Sequence, residues 1–380
     1  MGAENHIVDG GMTRKMIYCQ STSPLPGPTS ESKYLTIMNE MLQWFRCFAA
    51  NSKPAPIKGG SPSSDEPREV LMFRLLVLIA VTLLWMTSAT SALAARKDPR
   101  KVVVASTTQI ADFARQIAGD RLVVKSILAP GADPHTYQPT PDDVQIVLGA
   151  SLCLENGLHL EGKNWMGALA HDAGKELVTV TRGLAPLKLG KTGESAPDPH
   201  AWFSITNAAL YVNNIIETFE RFDPPNAAEY RSRGKLYLQQ LRVLDAWIRE
   251  QVNLIPPQRR VLVTTHDAFN YFCREYRFNP ENDYLSIAPV GWSTGSEVGA
   301  GMTPERHRQV VQSIRKARAN AIFVETTINP KQIREIARET GVKIGGELYS
   351  DSMGTAGSAG ETYIGMMREN VLLIIQALKP

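Results

Sequence analysis

The chain has 380 residues, about two to three domain lengths, and its hydrophobic (43%) and charged (21%) fractions are those of an ordinary globular protein. Its 41 basic and 38 acidic residues leave a net charge of +3, which is too small to indicate a nucleic-acid partner. The four cysteines include no Cys-x-x-Cys pair, which excludes a disulfide scaffold and a zinc finger.

A secretory signal peptide is predicted at residues 72–95. Arg74 supplies the positive charge, an apolar core runs from residue 75 to residue 86, and Ala92-Leu-Ala has the small-x-small pattern of a cleavage site. A membrane anchor is the alternative, but the core is shorter than the roughly 20 apolar residues that cross a bilayer. No cysteine follows the core closely enough to carry a lipid, so we expect a cleaved protein that is free in the periplasm.

Residues 1–71 show no sustained hydrophobic period, and residues 51–67 have the composition of a linker. We expect Met72 to be the working start and residues 1–71 to be an extension outside the native protein. A genuine cytosolic segment is the alternative. Without residues 1–95 the chain is nearly neutral.

The exported part begins with an alternation of short apolar runs and helical patterns. Strands are predicted at residues 101–106, 122–128, 151–155 and 176–180, and helices at residues 109–118, 142–148 and 165–173. Repeated strand–helix–strand order is typical of a parallel sheet with helices on its faces. Residues 96–225 are therefore predicted to form an N-terminal α/β lobe.

One long helix follows. Apolar residues recur every three or four positions between residues 226 and 252, with paired prolines on either side. Two helices joined near Gly234 are the alternative, and we favour one. Residues 226–255 are thus predicted to link the N-terminal lobe to a C-terminal α/β lobe at residues 256–380.

The same alternation then resumes in the C-terminal lobe. Strands are predicted at residues 260–265, 321–325 and 342–348, and helices at residues 268–276, 303–317, 329–340 and 362–378. The predicted fold class is α/β: two lobes with parallel-sheet cores and flanking helices, joined by one long rigid helix, with a site in the cleft between the lobes.

Four segments at strand ends or before helices carry candidate metal ligands: His135, His200, His266 and Asp351. A single histidine or a single aspartate in a loop is weak evidence, since loop histidines are mostly surface groups and Asp-Pro is an ordinary turn. Their joint position matters more, because ligands of open α/β sheets bind beyond the carboxyl ends of strands. Three imidazoles and one carboxylate suit Zn²⁺ or Mn²⁺.

Four motifs together resemble the zinc/manganese substrate-binding proteins of bacterial ABC importers. They are Gly131-Ala-Asp-Pro-His-Thr-Tyr, Asp198-Pro-His-Ala-Trp-Phe, Thr265-His-Asp-Ala-Phe-Asn-Tyr-Phe and Ile344-Gly-Gly-Glu-Leu-Tyr-Ser-Asp-Ser-Met-Gly. They occur in the family's order, and the resemblance runs from about Lys101 to the C-terminus. It also covers the long helix, which in this family replaces a flexible hinge.

The resemblance implies that His135, His200, His266 and Asp351 hold one Zn²⁺ or Mn²⁺ as cargo. It also implies a membrane permease as the partner, and we expect a monomer without enzymatic activity. Many manganese binders have Glu where this chain has His266, and many zinc-specific members have a long His-rich loop where residues 188–197 are short and lack histidine. The chain therefore resembles the branch with three histidines and one aspartate.

Two other functions fit parts of this pattern. A secreted zinc metallohydrolase would need an open ligand position for water, whereas Asp351 supplies a fourth protein ligand. A surface adhesin is a label that this family sometimes carries, but the chain has no wall anchor or lipid-attachment motif. Glu325, at the end of a predicted strand, is expected either to orient a ligand imidazole or to cap the next helix.

Overall fold

The computed structural model describes residues 100–188, 196–289 and 303–380. The predictions for residues 1–71 and for the signal peptide at residues 72–95 lie outside these ranges. Residues 97–380 form one compact unit. Within the three described ranges, every helix is too short or too polar to cross a membrane.

The N-terminal lobe is built on a four-stranded parallel sheet. Its strands are β1 (Val102–Ala105), β2 (Val123–Ser126), β3 (Leu152–Glu155) and β4 (Leu177–Thr179), in the spatial order β2-β1-β3-β4. Helices α1 (Thr108–Ala118), α2 (Pro141–Leu148) and α3 (Trp165–Asp172) connect them. Val103 and Val104 point to opposite faces and are both fully buried, because helices cover both faces of the sheet. The predicted elements of this lobe are confirmed.

A helix that the pattern analysis did not predict, α4 (Ile205–Phe222), follows a 3₁₀ turn at Ala201–Phe203. The Ser204 side chain caps it by accepting a hydrogen bond from the Asn207 backbone N–H. Several β-branched residues and three asparagines lower its intrinsic helix propensity. Burial of one face against the lobe supplies the stability that propensity does not.

The long linking helix is confirmed as one continuous element, α5 (Ala227–Val252). Gly234 does not interrupt this helix. It lies instead where α5 closely approaches α4. A Cβ atom there would lie 2.2 Å from Ile216 Cδ1, so only a residue without a side chain lets the two helices pack at this distance.

The C-terminal lobe contains a parallel pair of strands, β5 (Ile322–Glu325) and β6 (Ile344–Leu348). Its helices are α6 (Asn270–Tyr276), α7 (Pro304–Ala317), α8 (Lys331–Thr340) and α9 (Tyr363–Leu378). Apart from the first strand, the elements predicted in this lobe are confirmed. The two-lobed α/β fold class is thereby confirmed, while the domain boundaries at residues 225 and 256 stay a prediction.

The prediction of a strand at residues 260–265 was wrong. Val263 makes only an isolated parallel bridge to Ile287 and accepts a hydrogen bond from the Phe323 N–H at 2.8 Å. The Asn279 side chain binds both the N–H and the C=O of Leu262, at 2.7 and 2.9 Å. A side chain thus takes part of the place of a neighbouring strand, so the segment runs beside β5 without forming a full ladder.

The largest apolar core is continuous between the two lobes, and helices α1, α4, α5 and α9 all contribute to it. Phe113 of α1 lies at its centre and is fully buried. Its ring centroid lies 4.7 Å from that of Tyr363 and 6.0 Å from that of Tyr211, both in edge-to-face contact. One aromatic side chain of α1 therefore contacts both α4 and the C-terminal helix α9.

We expect Phe113→Ala to lower the free energy of unfolding by about 3–5 kcal/mol, because it removes a buried ring and leaves a cavity. Val243→Ala is the matched control, since Val243 on α5 is 71% exposed. Urea denaturation of both variants measures the difference. Equal stability of the two variants would contradict the central position of Phe113 in the core.

Candidate metal centre

The four predicted ligand residues meet in one cluster between the lobes. His135 lies in the loop between β2 and α2, and His200 directly precedes the 3₁₀ turn that leads into α4. His266 lies before α6, and Asp351 follows β6. One potential ligand atom from each residue lies within 4.8 Å of all the others. His135 is 9% exposed and the other three are at most 1% exposed, so the cluster is buried.

The donor atoms point at one another. His135 Nε2 lies 3.1 Å from His200 Nε2, and Asp351 Oδ2 lies 3.2 Å from His266 Nε2 and 3.9 Å from His135 Nε2. His200 Nε2 lies 3.4 Å from Asp351 Oδ1. Among the described residues, neither oxygen of Asp351 receives a hydrogen bond by the usual geometric criteria. Three ring nitrogens and a buried carboxylate therefore form a donor set that fits a divalent cation.

Local hydrogen bonds and close packing fix the position of His135, the first of the three histidines. The Asp133 side chain accepts hydrogen bonds from the His135 N–H at 2.8 Å and from Thr136 Oγ1 at 2.7 Å, which forms an Asx turn. Trp165 Nε1 donates to the carbonyl of Pro134 at 2.9 Å. Gly162, at φ +48°, packs so closely that a Cβ there would lie 2.3 Å from the His135 carbonyl oxygen. The loop is held on two sides before any ligand binds.

The second Asp-Pro-His motif repeats the turn and adds a contact to the ring. Asp198 Oδ1 accepts from the His200 N–H at 2.9 Å and from His200 Nδ1 at 2.8 Å. Because a carboxylate only accepts, Nδ1 carries a proton, so the neutral ring has its lone pair on Nε2, the atom that faces the cluster. The repeated spacing of Asp two residues before His is the sequence signal from which this contact could have been predicted.

The third imidazole has a carboxylate partner from a distant strand. Glu325, the last residue of β5, lies with Oε2 2.6 Å from His266 Nδ1, and its Oε1 accepts from the His266 N–H at 2.9 Å. Of the two roles expected for Glu325, the structure supports the contact to a candidate ligand imidazole. The following helix, α8, starts only at Lys331, and the Lys331 N–H donates to the Asn329 side chain at 3.0 Å, not to Glu325.

Burial and the neighbouring charges shift the pKa values in opposite directions. Burial holds the pKa of His135 well below its usual value. Burial also opposes protonation of His200 and His266, but Asp198 raises the pKa of His200, and Glu325 with Asp351 raise that of His266 well above 6.5. For Asp351 the effect of burial is outweighed by the imidazoles, which lower its pKa. In the metal-free cluster the neighbouring carboxylates therefore favour the protonated forms of His200 and His266, whereas burial favours the neutral form of His135.

The loop that carries Asp351 is attached to the N-terminal lobe as well as to its own. Gln109 Nε2 donates to the Ser350 carbonyl at 3.1 Å, and the Met353 N–H donates to Thr108 Oγ1 at 2.9 Å. Both side chains come from the first turn of α1. The carboxylate is therefore positioned by contacts from both lobes.

Two α/β lobes around a buried set of three imidazoles and one carboxylate define a two-lobed metal-binding protein. The chain belongs to the ZnuA family, described as the periplasmic component A of a zinc-uptake complex, whose profile matches residues 103–377. The resemblance inferred from the four motifs is thus confirmed.

Named relatives agree with this assignment. The manganese-binding lipoprotein MntA of Bacillus subtilis (strain 168) is 38% identical over 74% of this chain and 91% of its own length. The zinc-binding protein TroA of Treponema pallidum (strain Nichols) is 36% identical over 75% of this chain and 91% of its own length.

Solved structures show the same fold. The periplasmic zinc-binding protein TroA superimposes with a TM-score of 0.67 and 34% identity, covering 74% of this chain and 100% of that one. The Mn-bound periplasmic metal-binding protein of candidatus liberibacter asiaticus gives a TM-score of 0.65 and 29% identity, covering 73% and 100%.

Proposed function

We propose that this protein captures one Zn²⁺ or Mn²⁺ ion outside the cytoplasmic membrane and delivers it to the membrane permease of an ABC importer. The observation that carries the proposal is the buried cluster of His135, His200, His266 and Asp351, which we propose as the complete ligand set. Membership of a metal-uptake family supports the same role.

The chemistry of the donor set favours zinc over manganese. Three nitrogens suit Zn²⁺, which lies well above Mn²⁺ in the general order of affinities, whereas Mn²⁺ prefers oxygen ligands. Among the relatives, MntA is named for manganese and TroA for zinc. We therefore propose zinc as the preferred cargo and manganese as the alternative that metal availability could select.

The cluster of four potential ligands fits the transport of a metal ion better than metal-dependent catalysis. Catalytic zinc usually keeps three protein ligands and one position for water, whereas the cluster supplies four protein ligands. Full coordination by the protein leaves no position for a zinc-bound water that could attack a substrate. We accordingly propose a binding protein without enzymatic activity.

We further propose that the protein is exported to the periplasm by the signal peptide at residues 72–95, which is cleaved near its end, and that it acts there as a monomer. Its relative MntA is named a lipoprotein. This chain has no cysteine between Cys47 and Cys153, so the residues around the proposed cleavage site offer no thiol for a lipid.

Native mass spectrometry of the protein recovered from its own cellular compartment tests these proposals together. We expect a monomer that starts at Ala95 or Arg96 and carries one zinc or manganese ion. Protein recovered without a bound divalent metal, and unable to take one up, would contradict the proposed function. A mass that retains residues 72–94 would contradict cleavage.

A further inference from the structure

Asn270, the first residue of α6, connects the C-terminal lobe to a histidine of the N-terminal lobe. Its side-chain Nδ2 donates to Asp198 Oδ2 at 3.0 Å, while the other oxygen of Asp198 accepts from His200 Nδ1 at 2.8 Å. Asn270 is 1% exposed, and Asp198 and His200 are fully buried. An amide from one lobe is thus linked, through one carboxylate, to an imidazole from the other.

The orientation of this amide is determined by its neighbours. Nδ2 also donates to the Asp267 carbonyl at 2.7 Å, and Oδ1 accepts from the Ser286 N–H at 2.9 Å and from Ser286 Oγ at 3.1 Å. The carboxylate and the carbonyl can only accept, and a backbone N–H can only donate. A flipped amide would break three of these four bonds, so the network holds Nδ2 toward Asp198.

The next residue of α6 binds the same aspartate at its backbone. The Tyr271 hydroxyl donates to the Asp198 carbonyl at 2.9 Å and accepts from the Leu187 N–H at 3.0 Å. The start of α6 therefore holds Asp198 at both its side chain and its main chain. Neither α6 residue is among the four clustered residues, so any effect on the metal passes through Asp198 and His200.

We propose that Asn270 is a positioning residue for metal capture, which fixes the His200 imidazole with Nε2 toward the metal by holding the Asp198 carboxylate from the opposite lobe. This inference rests on the proposed function. Removing the amide leaves a buried carboxylate oxygen without this donor, so the carboxylate and the ring that it orients can take other arrangements. Because the link crosses the cleft, separation of the lobes would remove this donor from Asp198.

A double-mutant cycle in the full chain tests the route of this effect. Loss of a group that orients a ligand histidine costs about 10- to 100-fold in metal affinity. We expect Asp198→Ala to fall in this range and Asn270→Ala to weaken Zn²⁺ binding about tenfold, at the lower end of it. The double variant should bind no more weakly than Asp198→Ala alone, because Asn270 acts through Asp198. Chelator competition measures the dissociation constants.

Asn214→Ala is the matched control. Asn214 on α4 is also a buried asparagine whose Nδ2 makes two hydrogen bonds, to the carbonyls of Val180 and Arg182. Its loss should affect stability without changing zinc affinity. If Asn270→Ala fails to fold, Asn270→Asp keeps the shape and places an oxygen against Asp198, and we expect it to weaken binding at least as much as Asn270→Ala.

The Nδ1–H signal of His200 in the ¹H–¹⁵N NMR spectrum of metal-free protein gives a readout that a merely structural role would not move. We expect Asn270→Ala to shift or broaden this signal and Asn214→Ala to leave it unchanged. Wild-type affinity with an unchanged signal in the Asn270 variants, or additive effects in the cycle, would overturn the inference. Absence of zinc binding by the wild type would instead refute the proposed function.

Discussion

Alanine at any one of His135, His200, His266 or Asp351 is expected to weaken zinc binding by about two orders of magnitude or more. Structural zinc sites with four ligands have apparent binding free energies of about 10–16 kcal/mol. One ligand therefore accounts for about 3 kcal/mol, which corresponds to roughly a hundredfold change in the dissociation constant. Calorimetric titration with chelator competition measures the loss for each variant.

The fold should survive these substitutions, because none of the four candidate ligands is itself part of the continuous apolar core. His171→Ala is a suitable control for the histidine variants, since its side chain is 89% exposed on α3. Asp172→Ala serves the same purpose for Asp351, with a side chain that is 82% exposed. Zinc binding by His135→Ala or Asp351→Ala as tight as that of its control would show that the ligand set is wrong.

Zinc affinity is expected to fall as the pH falls, by about tenfold per pH unit for each proton that the metal must displace. An imidazole binds a metal only through an unprotonated nitrogen. Because the pKa values of His200 and His266 are raised in the metal-free protein, proton competition should extend above the usual histidine range near 6.5. Titration between about pH 5.5 and 8, in buffers of different ionisation enthalpy, gives both the affinity and the number of protons released.

Glu325→Gln separates this effect from a general loss of the site. Glutamine keeps an oxygen that can accept from His266 Nδ1, but it removes the charge that raises the pKa of His266. Fewer protons should then be released on binding near neutral pH. An affinity that is independent of pH in the wild type would contradict the prediction. The stability of the metal-free fold should depend on pH in the opposite direction from zinc affinity. The stabilisation that comes from the raised pKa of His266 is present below about pH 6.5, and it is lost as the pH rises through the raised value.

Local patterns in the sequence were sufficient for the chemistry of the candidate site and for most of the elements that carry it. Asp-Pro-His in two loops, a histidine before a helix and an aspartate after a strand identified the four residues that now lie within 4.8 Å of one another. Parallel strands bring their carboxyl ends to one edge, so residues far apart in sequence were predictable neighbours. The three-to-four periodicity likewise predicted α5 as one helix, because a buried stripe is a property of the sequence itself.

Tertiary structure alone decided which residues from distant parts of the sequence surround those four residues. Glu325 reaches His266 across 59 residues, and Asn270 reaches Asp198 across 72. No short-range pattern encodes such a pairing, because it depends on how the lobes pack. Packing also accounts for α4, which is stabilised by burial despite its weak helix propensity. It likewise accounts for residues 260–265, where the Asn279 side chain takes part of the place of a neighbouring strand. Residue type and spacing therefore determined the candidate donor atoms, and packing determined what orients them.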